Sequence, residues 1–181
     1  VEELAAAHNV EKEELAALLE YLQSRGILDN VEPKEDFDSY EAYRRVIHFI
    51  AEYSHSHDHL VSMWNRIRQS TVLIVGLGAV GTWVAVTLAQ TGIGKLILMD
   101  NDVVDVSNLH RQFGYTEADI GKKKTDVLES RLRSYRSDIQ IVKENNCLEA
   151  DSLHVFDSIH IDLIINCADK PTVDETSLII G

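Results

Sequence analysis

Gly76-Leu77-Gly78-Ala79-Val80-Gly81 lies between an apolar run and a helical pattern. That placement suits a backbone that must wrap an anion. The first two glycines let the chain turn and approach a phosphate, the third lets a helix pack closely on a strand, and the helix N-terminus adds N–H donors. Asp100 ends the next apolar run, 19 residues after Gly81, where a carboxylate can accept hydrogen bonds from ribose hydroxyls. These features predict a mononucleotide or dinucleotide site and leave NAD, FAD and ATP open. A long polar excursion follows, from Asp100 through Asp102, Asn108, Arg111 and Gln112, and then Gly121-Lys122-Lys123-Lys124 at a helix start. A nicotinamide enzyme needs few cations beyond what the helix offers pyrophosphate, whereas a triphosphate under attack needs them. Solvated surface charge is the competing reading for the arginine and the lysines.

The elements that position these residues can be read from hydropathy. Apolar runs predict strands at Thr71–Val75, Lys95–Met99, Ile139–Lys143 and Asp162–Asn166, separated by helices at about 80–91 and 122–136 and by an acidic segment over 148–158. This alternation predicts an α/β fold, a Rossmann-like, doubly wound and mostly parallel sheet spanning residues 71–181. Four strands are few for a parallel sheet buried on both faces, so the sheet is expected to be truncated at the C-terminus. Upstream, residues 39–70 predict two helices. One runs from about Tyr40 to Tyr53 with Tyr43, Val46, Ile47 and Ile50 on one face; the other covers about 58–69 with Leu60, Trp64 and Ile67 together. Residues 1–38 form a third region: two short helices turning at His8-Asn9, with Leu15, Leu18, Leu19 and Leu22 at helical spacing. A stop at Gly26 and an acidic, proline-marked linker over 29–38 complete it.

Composition removes several classes of function. The 181 residues carry 17 Lys and Arg against 30 Asp and Glu, a net charge of -13, and general nucleic-acid or anionic-membrane binding needs basic surface. Residues 1–60 are the most acidic part, with 14 acidic and 5 basic side chains, so their paired helices do not read as a DNA-binding module. Against this background, residues 111–136 hold seven basic and four acidic residues, an island that suggests a specific anion site. Thr71 to Gly94 is a run of 24 uncharged residues, long enough to span a bilayer, but five glycines cut it into strand, turn and helix. Two cysteines, Cys147 and Cys167, build neither a disulfide scaffold nor a four-thiolate zinc site, and no signal peptide is visible; a cytoplasmic setting is expected. His55, His57 and His59 around Asp58 can ligate a metal or lie in a solvated loop.

Taken in order, VLIVGLGAVG, LILMDNDVVDVSNLHRQF, IGKKKTDVL and NCADKP resemble the ThiF–MoeB family of ubiquitin-activating-type adenylating enzymes, most closely its microcin C-type peptide-adenylating branch. The resemblance covers residues 40–181. Residues 1–30 resemble the end of the small winged-helix clamp that holds precursor peptides in that branch. The likeness implies that Asp100 binds the ribose, that Asp102 joins the nucleotide contacts, and that the Gly76–Gly81 turn, with Ala79 at a donor position, faces the α-phosphate. It implies that Asn108, Arg111 and Gln112 line the phosphate site, that Lys124 reaches the phosphates, and that Asp169 positions magnesium. Arg44 matches an arginine that reaches across a homodimer into the partner's triphosphate, with Arg45 as the register alternative.

The implied reaction is attack of a C-terminal carboxylate, on a precursor peptide or ubiquitin-like protein, at the α-phosphorus of ATP. Its charge build-up explains the cations, and it requires no protein nucleophile. Any structural zinc would belong to a part absent from this sequence. Asn166 and Lys170 stand where the family commonly has Asp and Asn, which tilts the likeness towards the peptide-activating branch. Two alternatives stay open on sequence: an inactive member that presents a precursor peptide, and an NAD-dependent oxidoreductase resting on the glycines and Asp100 alone.

Overall fold

From Thr71 to Glu144 strand and helix alternate as the hydropathy predicts, and a fourth strand ends at Asn166. The structure is a computed structural model, and it describes residues 2–25, 27–28, 41–148, 156 and 158–169. Four strands, β1 (Thr71–Val75), β2 (Lys95–Met99), β3 (Gln140–Glu144) and β4 (Leu163–Asn166), form one sheet in the order β3-β2-β1-β4. Every pairing is parallel, with Leu73 facing Ile97 on one side and Ile164 on the other. β1 is buried along its whole length, which explains why it reads as five consecutive apolar or β-branched residues rather than as an alternation.

The two faces of the sheet bury separate side-chain sets. Val72, Ile74, Leu96 and Leu98 pack beneath the helices Ala79–Thr91 and Lys124–Tyr135 (called α5 and α6 below, since four described α-helices precede the first of them) through Ala85, Ala89, Leu128 and Leu132. Leu73, Val75, Ile97 and Met99 point the other way, onto Leu148, Phe156 and Ile164. Truncating a fully buried leucine such as Leu98 to alanine costs about 2–5 kcal/mol, so this core holds the strand ends in place.

Several boundaries differ from the sequence reading, each for a local reason. β4 starts at Leu163 because the Asp162 carboxylate, 2.8 Å from the Thr71 N–H, takes a ladder position with its side chain. β3 lies one residue further on than predicted, at Gln140–Glu144. α6 starts at Lys124, two residues late. The chain before it pairs back on the excursion after β2, through an antiparallel bridge between Val103 and Lys123 and a bond from Lys124 N–H to the Asp102 carbonyl at 3.2 Å. The acidic segment over 148–158 lies almost entirely outside the described residues, as do the 29–38 linker, Gly26 and Lys170.

Residues 1–65 form a separate compact unit. Helices α1 (Glu2–His8) and α2 (Lys12–Ser24) meet at Asn9, whose φ of 53° is a conformation asparagine tolerates better than most side chains. Leu15, Leu19 and Leu22 are half-buried, while Leu18, expected on the same stripe, is exposed. Helix α3 covers Arg44–Ala51, shorter at both ends than the predicted 40–53, and a 3-10 turn occupies 41–43. Helix α4 spans His57–Gln69, and Trp64 on it packs against Tyr43 with ring centres 5.0 Å apart. His55 and His59 stack at 5.2 Å, and among the described residues no group of three or more His, Cys, Asp or Glu is arranged to hold a metal ion. No helix among the described residues is long and apolar enough to cross a membrane: the uncharged run is divided between β1 and α5.

Candidate functional site

The strand order reverses direction between β1 and β4, and in open parallel sheets the crevice beyond the carboxyl ends of the strands at such a point is where ligands bind. Here a cleft of about 860 Å³ opens between the turn after β1, the excursion after β2, the start of α6 and the chain leaving β4. Gly76, Gly78, Asp100, Asp102, Asn108, Arg111, Gln112, Lys124 and Asp169, far apart in sequence, all line it.

Each glycine of the turn has its own reason. Gly76 has φ +85°, and a Cβ on it would lie 2.7 Å from the Ala168 nitrogen, so the turn is pressed against the chain leaving β4. A Cβ on Gly81 would collide with the Gly76 carbonyl, which makes it the helix–strand packing residue; it does not line the cleft. Gly78 is the open one, since a Cβ there would meet nothing nearer than the Gln112 amide nitrogen at 3.7 Å. This is where a ligand can approach the backbone. Ala79 opens α5 and does not line the cleft either; its contribution is confined to the N–H groups of a first turn, which have no intrahelical acceptor.

Asp100 ties two elements together. One carboxylate oxygen accepts from Leu77 N–H at 2.6 Å and the other from Asp102 N–H at 2.8 Å, tying the glycine turn to the end of β2. Lys124 is buried, and its ammonium sits 2.7 Å from Asp102 and 3.9 Å from Asp100. Asn108 is held by a reciprocal cap, its side-chain oxygen accepting from Asp105 N–H at 3.0 Å while the Asp105 carboxylate accepts from Ser107 N–H. Those Ser107 bonds hold the Asp105 carboxyl below its usual range. Arg111, three residues beyond this 3-10 turn, bonds the Ser107 carbonyl at 2.6 Å. Gln112 is 5% exposed and its side-chain oxygen has no partner among the described residues, a buried acceptor in the cleft wall that a ligand hydroxyl or a metal-bound water would satisfy.

The basic island resolves into two groups. Among its seven cations only Arg111 and Lys124 line the cleft. Lys122 pairs with Asp119 and Lys123 bonds the Asn101 carbonyl. Arg131 lies by Asp119, Arg133 by Glu129, and Arg136 is buried between Asp138 and the Ala89 and Ile93 carbonyls. So most of the island stabilises structure.

Beyond β4, the Asn166 side-chain oxygen accepts from Ala168 N–H at 3.1 Å, a turn that delivers Asp169, exposed, to the cleft wall. Asn166 therefore builds the turn. Cys167 packs against the core and also lines the cleft, where burial pushes its thiol pKa up; Cys147 is exposed on the far wall. Arg44 lies in the other compact unit, exposed and 3.7 Å from Glu41; Arg45 beside it is also exposed. The sequence reading missed Tyr115 and Thr82, which hold the glycine turn. The one signal for Tyr115 is an aromatic residue directly after Gly114 at the end of the excursion.

The donor set suits a nucleoside polyphosphate. It combines an open glycine backbone, two cations, an unpartnered acceptor, and an exposed carboxylate of the kind that holds magnesium together with phosphates. Comparison with known proteins agrees. Residues 50–176 match the ThiF family model. The sulfur carrier protein ThiS adenylyltransferase of Escherichia coli (strain K12) is 38% identical over 106 residues, 58% of this chain and 41% of that protein. The crystal structure of PaaA superposes with a TM-score of 0.73 at 30% identity, over 91% of this chain and 52% of that one. E. coli MccB, solved with ATP, superposes with a TM-score of 0.64 at 25% identity, over 92% of this chain and 48% of its own. The chain thus spans about half the length, or less, of the proteins it matches. With a parallel sheet, a glycine turn at its switch point and a matching model over most of its length, the chain belongs to the ThiF family.

Proposed function

We propose that this chain carries the nucleotide-binding part of an ATP-dependent adenylating enzyme. It activates the C-terminal carboxylate of a peptide or ubiquitin-like protein, and releases pyrophosphate. The observation that carries the reading is the meeting of Lys124, Arg111 and Asp169 with the open face of Gly78 in one cleft. In the reaction a carboxylate oxygen bonds to the α-phosphorus as the bond to the pyrophosphate oxygen breaks, giving an acyl-adenylate. Two anions must meet and the leaving group gathers charge, so the protein's task is electrostatic and positional.

In this reading the N–H groups of the Gly76–Gly81 turn and of the first turn of α5 take the α-phosphate, while Arg111 and Lys124 stabilise the departing charge. The Asp100 carboxylate, already anchored by two N–H groups, keeps lone pairs for the ribose hydroxyls. Asp169 is the residue to hold magnesium, which when bound supplies further neutralisation of the phosphates. The protein works as a homodimer in which Arg44, or Arg45, serves the partner's site, and residues 1–38 hold the precursor peptide. An NAD-dependent oxidoreductase would leave two cations and Asp169 in the cleft with no role.

The test is exchange of labelled pyrophosphate into ATP, driven by a carboxylate-bearing peptide. Exchange that disappears in Arg111→Ala and Asp169→Ala is the expected result. Undiminished exchange in both variants would refute the assignment. ATP binding without any exchange would favour the peptide-presenting alternative.

A further inference from the structure

The Leu77–Gly78 peptide of the glycine turn is gripped from outside the turn. Its carbonyl accepts from the Tyr115 hydroxyl at 2.8 Å, while Asp100 takes the preceding N–H, that of Leu77. In a planar trans peptide the C=O and N–H point in opposite directions, so a bond to the Leu77 carbonyl from Tyr115 aims the Gly78 N–H away from the tyrosine. Gly78 is the glycine whose open side lines the cleft. The Thr82 hydroxyl fixes the next carbonyl, that of Gly78, at 2.6 Å, and lies at a longer 3.2 Å from the Leu77 carbonyl.

Tyr115 is itself precisely seated only because of its neighbours. It is 4% exposed and packs with Val104 and Val127. Its N–H bonds the Gln112 carbonyl at 3.1 Å, which joins it to the turn that carries Arg111 and Gln112 into the cleft. The preceding residue is Gly114, where any Cβ would collide with the Thr82 γ-methyl, so a larger residue would push the segment off α5. Burial drives the phenol pKa up, and the hydroxyl keeps its proton at neutral pH.

We propose that Tyr115 is a positioning residue for phosphate recognition: its hydroxyl, held in place by the Gly114–Thr82 contact, orients the Leu77–Gly78 peptide so that the Gly78 N–H meets the ligand's phosphate. The inference rests on the nucleotide reading given above and adds a residue to it. It also predicts a coupling, because one segment, 108–115, sets both the Arg111–Gln112 wall and the backbone donor opposite.

Tyr115→Phe keeps the ring and removes only the hydroxyl, leaving the Leu77 carbonyl with the longer contact to the Thr82 hydroxyl. Titrating the full chain and the variant with magnesium-ATP and with adenosine separates phosphate from base and ribose. ATP affinity should fall by about threefold to tenfold, the range one hydrogen bond supports, while adenosine affinity stays the same. Equal ATP affinity in the two proteins, or an equal loss for ATP and adenosine, overturns the proposal. If neither protein binds ATP, the nucleotide reading fails, and amide hydrogen exchange of the unliganded proteins still decides whether the brace exists. Faster exchange at Gly78 in Tyr115→Phe supports it; unchanged exchange overturns it. A second variant guards against a folding defect in the first. Gly114→Ala should weaken ATP in the same selective way, and adding Thr82→Ser, which deletes the obstructing methyl, should restore it. Failure of that rescue with both proteins folded counts against the mechanism.

Discussion

The two walls of the cleft are built to different standards. On the β1 side the glycine turn is fixed by Asp100, Tyr115 and Thr82 and sealed by Gly81 beneath it. On the β4 side one side-chain turn at Asn166 brings Asp169 to the rim, and Asp169 itself is exposed. The contrast fits what each wall recognises in the proposed reading. Backbone N–H groups have no rotamers to adjust, so a phosphate site made of them must be rigid before the ligand arrives. A carboxylate that meets a metal keeping several of its waters tolerates looser placement.

The largest effect should come from removing the cation that faces the rigid wall. Lys124→Ala is expected to lower pyrophosphate exchange by about a hundredfold to a thousandfold, on the order of 3–4 kcal/mol, as for one preorganised charge or donor. The same substitution leaves Asp100 and Asp102 without their buried partner, so thermal denaturation of the variant should accompany the rate measurement. Next comes Gly81→Ala, which drives a methyl into the Gly76 carbonyl and should cost about 1–3 kcal/mol of folding stability in urea denaturation, with loss of ATP binding. On the looser wall, Asn166→Ala removes a single turn-forming bond. It should cost only about 1 kcal/mol and weaken magnesium-dependent binding more than metal-free binding, a difference that calorimetry with and without magnesium resolves. An Asn166 effect as large as that of Gly81 would erase the distinction between the walls.

The smallest effect lies at the opposite end of the sheet. Asp138 bonds Arg136 first and Arg68 second, which holds its carboxyl well below the usual carboxylate range. Because the carboxyl titrates lower in the folded protein than in the unfolded chain, the pair stabilises the fold above about pH 4 and loses that contribution as the pH falls further. The Asp138 side chain is half exposed, so Asp138→Asn should cost less than about 1 kcal/mol near neutrality, and acid denaturation should begin at a higher pH.

Much of this was legible in the residues because it is local. The glycine spacing, Asp100 at a strand end and the alternating pattern each depend on a few neighbours, and four strands and two helices appear within two residues or so of where they predict, with a cleft at the glycine turn. Spacing and charge alone do not sort the basic island, and it is the family resemblance that singles out Arg111 and Lys124. Lys122, Lys123 and Lys124 look equivalent by charge, and the Val103–Lys123 bridge with the Lys124 N–H to Asp102 carbonyl bond delays the helix, so that of the three Lys124 lines the cleft. Tyr115 escaped for the same reason, since its target, Leu77, is 38 residues away. The start of β4 was misplaced because the Asp162 side chain replaced a backbone partner, which hydropathy does not register.

The most direct test of the account is a calorimetric titration of the chain and of its Lys124→Ala variant with magnesium-ATP and with NAD. The account predicts that the unaltered chain binds ATP and not NAD, and that Lys124→Ala weakens ATP at least tenfold. Binding of NAD alone, or ATP affinity indifferent to Lys124, would contradict it.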